Sequence, residues 1–441
     1  MKRFFEITVF ELRHFLRSPF KMVSLVLFIA AGIYACQNGY SLYRTHSSEI
    51  TAIKKNNDDY VNKMILQYEE IEKGTEKARS RRDPSDPYWA IWNVPSYVFK
   101  YPSKLMPFSI GQAEQYGYTK RISNWSTIFD SDMAEEIANP ERLAVGTLDF
   151  SFVFIYLTPI LIIIMLFNVG GLEKDLNFDQ LIHVTNISKS QWLTARFSFY
   201  FILLFLLIIL MMLPYSFLLE VFKTDGITFL RLLLVKLGYI FFWFLVFFII
   251  NYFGKGSPDQ SLKMISAWLL FCIIIPGGVH QLTSLKFPTN YMTDYLDVRR
   301  DNKNNFFEFS NESLRDTLIS SFPYLKSTVH ASDSIPTKPI LNKSVSALVN
   351  VLNKNAAKKV KISAEQRNQF IINSYIINPV IYFQNQINRE TKTDYFAYEE
   401  YKNKIQSMID GKIHLILNDC WNKEIVDKQK YISYVESLKL Q

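Results

Sequence analysis

The side chains able to do chemistry are scattered along this chain and form no catalytic set. Six histidines and three cysteines, Cys36, Cys272 and Cys420, are spread over 441 residues, and none falls at the spacing of a zinc site or a disulfide framework. HExxH, GxSxG, CxxC and the phosphate-loop pattern are absent, and the GKGS at Gly254–Ser257 lacks both the lead from a first glycine and a preceding strand. His280 has no evident carboxylate partner in sequence. The reading is of a chain with no catalytic residue, no metal ligand set and no bound cofactor. The densest polar group lies instead in the stretch 170–196. There Phe178, Leu181 and Ile182, at i, i+3 and i+4, make an apolar knob flanked by Glu173, Lys174, Asp175 and Asp179. Such a knob suits a groove on a partner protein, or else a loop helix tucked against a membrane surface.

The elements around this stretch are strongly apolar. Hydrophobic residues make up 49% of the chain, with 36 Phe and 25 Tyr, and they are concentrated in long blocks, as in a membrane protein. Five runs approach the roughly 20 residues needed to cross a hydrocarbon core as helix: 22–43, 148–167, 197–219, 237–253 (with its polar lead, 230–253) and 264–285. Four carry no charged side chain, and the second carries only Asp149 at its edge. With so few ionisable groups in the spans, an ion-coupled path is not expected. The fold class is therefore an all-α polytopic membrane protein with five spans, the stretch 170–196 being a hairpin between the second and third. Pro159, Pro214 and Pro276 fall inside spans and mark helix kinks or hinges.

Lys2, Arg3, Arg13, Arg17 and Lys21 against Glu6 and Glu11 precede the first run, which places the N-terminus in the cytoplasm. The apolar run is longer than a signal-peptide core, so a retained anchor is expected. Residues 1–21 read as an amphipathic helix on the membrane surface, with Phe5, Val9, Leu12 and Leu16 on its apolar face, broken at Ser18-Pro19. Segments 44–147 and 286–441 then lie outside. The first is charged and helix-permissive up to about Arg82, then rich in Pro, Tyr and Trp. The second is mostly helical, with a capping box at Ser363–Gln366, a helix over 394–409 closed by Gly411, and another over 413–438. The net charge of +8 comes from 49 basic residues dispersed among 41 acidic ones, which excludes a phosphate-tracking patch and hence nucleic acid as a partner.

This layout resembles the permease subunits of type-2 ABC exporters, in the branch with large extracytoplasmic insertions that includes gliding-motility and copper-maturation permeases. The opening FELRHFLRSPFKMVSLVLF looks like that family's connecting helix and entry into the first span. Glu173 with DLNFDQLIHVTNISKSQWLTARF looks like its coupling segment, with Asn177-Phe178 where the family has Gly-Thr, and Asn378-Pro379 through Tyr401 is similar to its stretch before the last span. The resemblance implies that Glu173, Asp175, Phe178, Asp179, Leu181 and Ile182 dock on a cytoplasmic ATPase subunit that holds the ATP and Mg. It also implies that a second permease chain, identical or not, completes the path through the bilayer of a bacterial cytoplasmic membrane. The family has six spans, and the charged tail WNKEIVDKQKYISYVESLKLQ cannot supply a sixth, which leaves a five-span variant or a truncated chain.

Overall fold

The computed structural model describes residues 2–74, 82–128, 148–177, 188–288, 306, 309–331 and 338–438, the side chains of 2–5 excepted. Helix α1 (Lys2–Leu16) ends where expected, and Ser18, extended at φ −95°, turns the chain into α2 (Pro19–Glu72). Proline at the start of α2 is in its one tolerated helical position, since that N–H has no intrahelical partner. The first run does not stop at Tyr43. With no proline between Pro19 and Pro84, α2 continues for 54 residues, about 80 Å at helical rise, much longer than the roughly 30 Å of a bilayer core. A side chain at Gly39 would put Cβ 2.7 Å from the Pro107 backbone, so glycine lets the 105–108 turn lie directly on this helix.

Four helices are long and apolar enough to cross a membrane: α2, and three introduced below, Lys189–Leu218, Gly226–Phe253 and Ser257–Lys286. The run expected as the second span forms a shorter apolar helix, α4 (Phe150–Leu166), so the expected count of five reduces to four long helices and this one. Between α2 and α4 come a short helix α3 (Pro87–Trp92) and two three-residue strands, β1 (Tyr97–Phe99) and β2 (Thr119–Arg121). The strands pair antiparallel with Val98 opposite Lys120, the one departure from an all-α chain among the described residues. After α4 follow α5 (Leu172–Asp175), α6 (Lys189–Leu218), α7 (Val221–Thr224), α8 (Gly226–Phe253) and α9 (Ser257–Lys286). The third span thus begins eight residues earlier than position 197, because Ser188 and Gln191 form a capping box that starts α6 at Lys189.

The three prolines behave differently. Pro159 and Pro276 each follow a five-residue π-helical turn, Val153–Leu157 and Leu270–Ile274, the wider turn accommodating the ring where an α-turn would clash. Pro214 sits inside a continuous α6. Pro159 has no N–H for the Ile155 carbonyl one turn earlier; the Tyr239 hydroxyl of α8 donates to that carbonyl instead, and Trp268 Nε1 of α9 donates to the next one, Tyr156, at 3.2 Å. The departure from α geometry is thereby turned into ties between α4, α8 and α9.

The chain beyond α9 adds α10 (Asn311–Ser321), α11 (Lys338–Asn373), α12 (Pro379–Glu390), α13 (Tyr395–Trp421) and α14 (Lys428–Ser437). Three helix boundaries differ from the sequence reading. One is in the helix expected over 413–438, which is interrupted at 422–427, between α13 and α14. Ser363 lies inside α11, and α13 runs through Gly411 to Trp421, because Gly411 sits where nothing crowds it and the apolar positions Ile405, Ile409, Ile413 and Ile416 keep helical period across it. The two polar segments share a single core: Met64 and Tyr68 of α2 and Ile91 of α3 pack with Leu318, Val345, Ile409, Trp421 and Tyr431. The segment 286–441 also does not stand clear of the apolar bundle. Val380 and Ile387 of α12 belong to the bundle core, and the Phe383 ring packs on Tyr239 at 5.4 Å and on Phe242 at 6.4 Å.

Two measurements follow from this packing. Tyr239→Phe lowers the melting temperature of the detergent-solubilised protein by the equivalent of about 1 kcal/mol, and its cost shrinks when Pro159→Ala supplies the missing N–H; equal costs in both backgrounds would show the hydroxyl is not replacing that bond. Separately, Lys412 is buried in the second core, its Nζ donating to the Ile122 carbonyl at 2.9 Å, and burial pushes its ammonium from 10.5 down to about 7. The folded state disfavours that proton, so stability is greatest above pH 10.5, declines as pH falls towards 7, and levels off below. Lys412→Met therefore raises the melting temperature more at pH 7 than at pH 10, and equal gains would place the ammonium in contact with water.

Candidate functional site

At the end of the bundle that carries 170–177 and 188–196, the apolar helices are tied together by charge. Arg196 stands where the polar start of α6 gives way to its apolar run, and it is 1% exposed. Its Nε donates to Glu11 Oε2 at 2.6 Å, and its Nη1 donates to Glu173 Oε1 at 2.5 Å and to the Val169 carbonyl at 2.8 Å. One turn on, the Tyr200 hydroxyl donates to Glu11 Oε1 at 2.6 Å. Lys21, buried at the start of α2, donates to Tyr200 Oη at 3.0 Å and to the Met165 carbonyl at 2.8 Å. One guanidinium thus joins α1, the end of α4, α5 and α6, and Lys21 adds α2.

Burial by itself would raise the Glu11 carboxyl. The Arg196 guanidinium and the Tyr200 hydroxyl outweigh it and hold Glu11 below the usual carboxylate range. Glu11 reaches this place because it shares a helical face with Ile7 and Phe15, both buried, and the Phe15 ring packs edge-on against Phe199 and Tyr200. The opposite side of α1 leaves Leu12 and Leu16 exposed and Val9 half-buried, and the Phe5 side chain lies outside the described residues.

A second set of ties fixes the hairpin base to α8 and α9. Asp175 accepts the Ser257 N–H at the first turn of α9, with Oδ2 at 3.1 Å, where a carboxylate meets the positive end of the helix. Lys174 Nζ donates to the Gly254 carbonyl at 2.6 Å, and Lys189 Nζ donates to that of Tyr252, both at the last turn of α8. Gly171 makes this approach possible, since a Cβ there would lie 2.3 Å from the Ser257 backbone nitrogen.

Glu173 and Asp175, expected from sequence to be docking residues, are both bonded to neighbouring elements: half-buried Glu173 accepts from Arg196, and Asp175, which stays exposed, accepts the Ser257 N–H. Phe178, Asp179, Leu181 and Ile182 lie outside the described residues. Glu11, Lys21, Arg196 and Tyr200 are not singled out by the sequence, in which the basic residues before the first run carry only an orientation signal. Glu11, a carboxylate set at i+4 and i−4 between Ile7 and Phe15, was the visible clue. The near absence of ionisable groups from the spans also needs amending. α8 begins at Gly226, which puts Lys236 within it, fully buried, its Nζ 4.3 Å from the Phe154 ring centroid and 4.6 Å from that of Phe150.

A clamp of this kind can pass a displacement of the hairpin to every helix it binds, because its members are held by short, charge-assisted bonds. Arg196→Met leaves Glu11 buried without its counter-charge and costs about 3–5 kcal/mol of stability. Glu11→Gln in the same chain restores part of the loss. Thermal unfolding in detergent distinguishes this from packing: an undiminished loss in the double variant would mean that Arg196 acts by shape alone. No protein-family model, curated protein or solved structure matches the chain.

Proposed function

We propose that this chain is the membrane-spanning permease subunit of an ABC-type exporter, driven by ATP hydrolysed on a separate cytoplasmic subunit. The observation that supports this reading is the clamp: at one end of the bundle the base of a short polar stretch is bonded to α1, α6, α8 and α9 and to the segment after α4 through Arg196, Glu11, Glu173, Lys174 and Asp175, and Lys21 ties α2 to the same group. A partner that pushes on 178–187 would move the bundle as a set. The partner grips Phe178, Asp179, Leu181 and Ile182, while Glu173 and Asp175 hold the hairpin to the spans, a division of labour that refines the docking set read from sequence.

In this reading the protein sits in a bacterial cytoplasmic membrane with its N-terminus inside, α1 lying on the inner surface through Val9, Leu12 and Leu16, and α4 serving as the fifth crossing. At 17 residues, Phe150–Leu166 gives about 26 Å of helix, close to the roughly 30 Å of a bilayer core. The domain that the described parts of 44–147 and 286–441 share is then extracytoplasmic, and two such chains line one path. ATP binding closes the ATPase pair, the hairpins follow, and the path opens outward.

The test is co-purification of the tagged protein with its co-expressed genomic neighbours. An ATPase subunit is expected to co-purify and to be lost with Phe178→Ala plus Asp179→Lys, while the melting temperature stays unchanged. Retention of function by that variant, with no ATPase recovered from the wild type, would favour a membrane-anchored protein whose outer domain binds a peptide, lipid or envelope partner.

A further inference from the structure

A cleft of about 940 Å³ opens between α11, α12 and α13, at the upper end of the range for ligand cavities. Its lining has two characters. Lys354, Lys358, Lys361, Arg367, Arg389 and Lys402 line it together with Asp394 and Glu399, an excess of cations over acids in a domain where the two are otherwise interspersed. Lys361 stands 3.9 Å from Glu399, and Lys354 pairs with Asp410, outside the lining, at 2.8 Å. The remaining surface includes Val360, Ile371, Ile372, Tyr375 and Phe396, a floor suited to hydrocarbon.

The position of the cleft decides what fills it. The apolar floor adjoins Phe370, whose ring packs on Phe287 at 6.2 Å and lies under the Lys286 ammonium at 5.2 Å, at the end of the apolar helix α9. The other wall is α12, which runs down the side of α8. Glu390 approaches Arg231 at 3.9 Å near the start of α8, and Phe383 contacts Tyr239, eight residues further along and so about 12 Å deeper. The turn that joins α11 to α12 presents Ile376, 94% exposed, and Ile377. A cleft walled by a helix that lies against a membrane-crossing one, with apolar residues at its membrane end and ammonium and guanidinium groups around it, matches a molecule with the same polarity.

We propose that this cleft binds a lipid with an anionic headgroup, entering from the outer leaflet with its acyl chain along Ile371, Ile372 and Tyr375 and its phosphate among Lys358, Lys361 and Arg367. The cations supply the attraction that anionic headgroups exert on basic clusters near a bilayer, and the floor removes chain surface from water. The inference rests on the bilayer placement of α8 and α9 and is independent of any ATPase.

The experiment uses the full chain in nanodiscs, without nucleotide or partner, and diazirine-bearing phosphatidylglycerol or phosphatidylcholine as probes, with crosslinks mapped by mass spectrometry. Phosphatidylglycerol is expected to label the 367–375 peptide in preference to phosphatidylcholine. Lys358→Glu with Lys361→Glu lowers that labelling about tenfold, and the neutral pair Lys358→Ala and Lys361→Ala lowers it less, both variants keeping the wild-type melting temperature. Millimolar inorganic phosphate leaves the labelling intact. Equal labelling by the two lipids, or labelling indifferent to both variant pairs, would overturn the proposal, and displacement by phosphate would reassign the cleft to a free anion. If the charge-reversed pair misfolds, the neutral pair and the lipid comparison still decide.

Discussion

The Arg196 guanidinium, buried between Glu11 and Glu173 where apolar helices converge, is the interaction on which the rest depends. An unpaired charge there would cost more than any single contact contributes, so the pairing holds α1, α5 and α6 to one geometry. That requirement fixes the entry of α2 through Lys21 and Tyr200, and the far side of the hairpin through Asp175 at the start of α9. Apolar packing brings the helices together without choosing a register, since one hydrocarbon surface packs much like another. The charged clamp supplies the choice.

The long apolar runs made most of the bundle legible from sequence, because nothing but helix satisfies backbone hydrogen bonds across hydrocarbon. Boundaries were less legible. The start of α6 depends on a Ser188–Gln191 capping box inside a stretch read as hairpin, and α2 runs past Tyr43 because polar residues continue a helix as readily as apolar ones when no proline intervenes. Gly411 looked like a stop and is not one, its cost being offset by the isoleucines on either side. The site was half legible: the hairpin stood out by its polarity, whereas Glu11 and Arg196 find each other across 185 positions, a pairing that spacing cannot express. The placement of α12 against α8 was hidden for the same reason, although Asn378-Pro379 marks its start.

The prolines show how a local defect becomes a long-range tie. Pro159 deprives the Ile155 carbonyl of its usual donor, and a tyrosine from a helix 84 positions away fills the gap. The π-turn and the tyrosine make sense only together, which is why the residue type alone suggested a kink or hinge, whereas packing turned the position into a joint.

The unbroken α2 has a mechanical consequence. Its first turn is held by the clamp through Lys21, and its last turns are built into the second core through Met64 and Tyr68, with no break in the helix between them. It is a lever: a tilt of about 5° at the clamp swings the far tip by about 7 Å over a rod of that length. A displacement at the clamp is therefore delivered directly to the domain around Met64 and Tyr68, and that domain can in turn resist it.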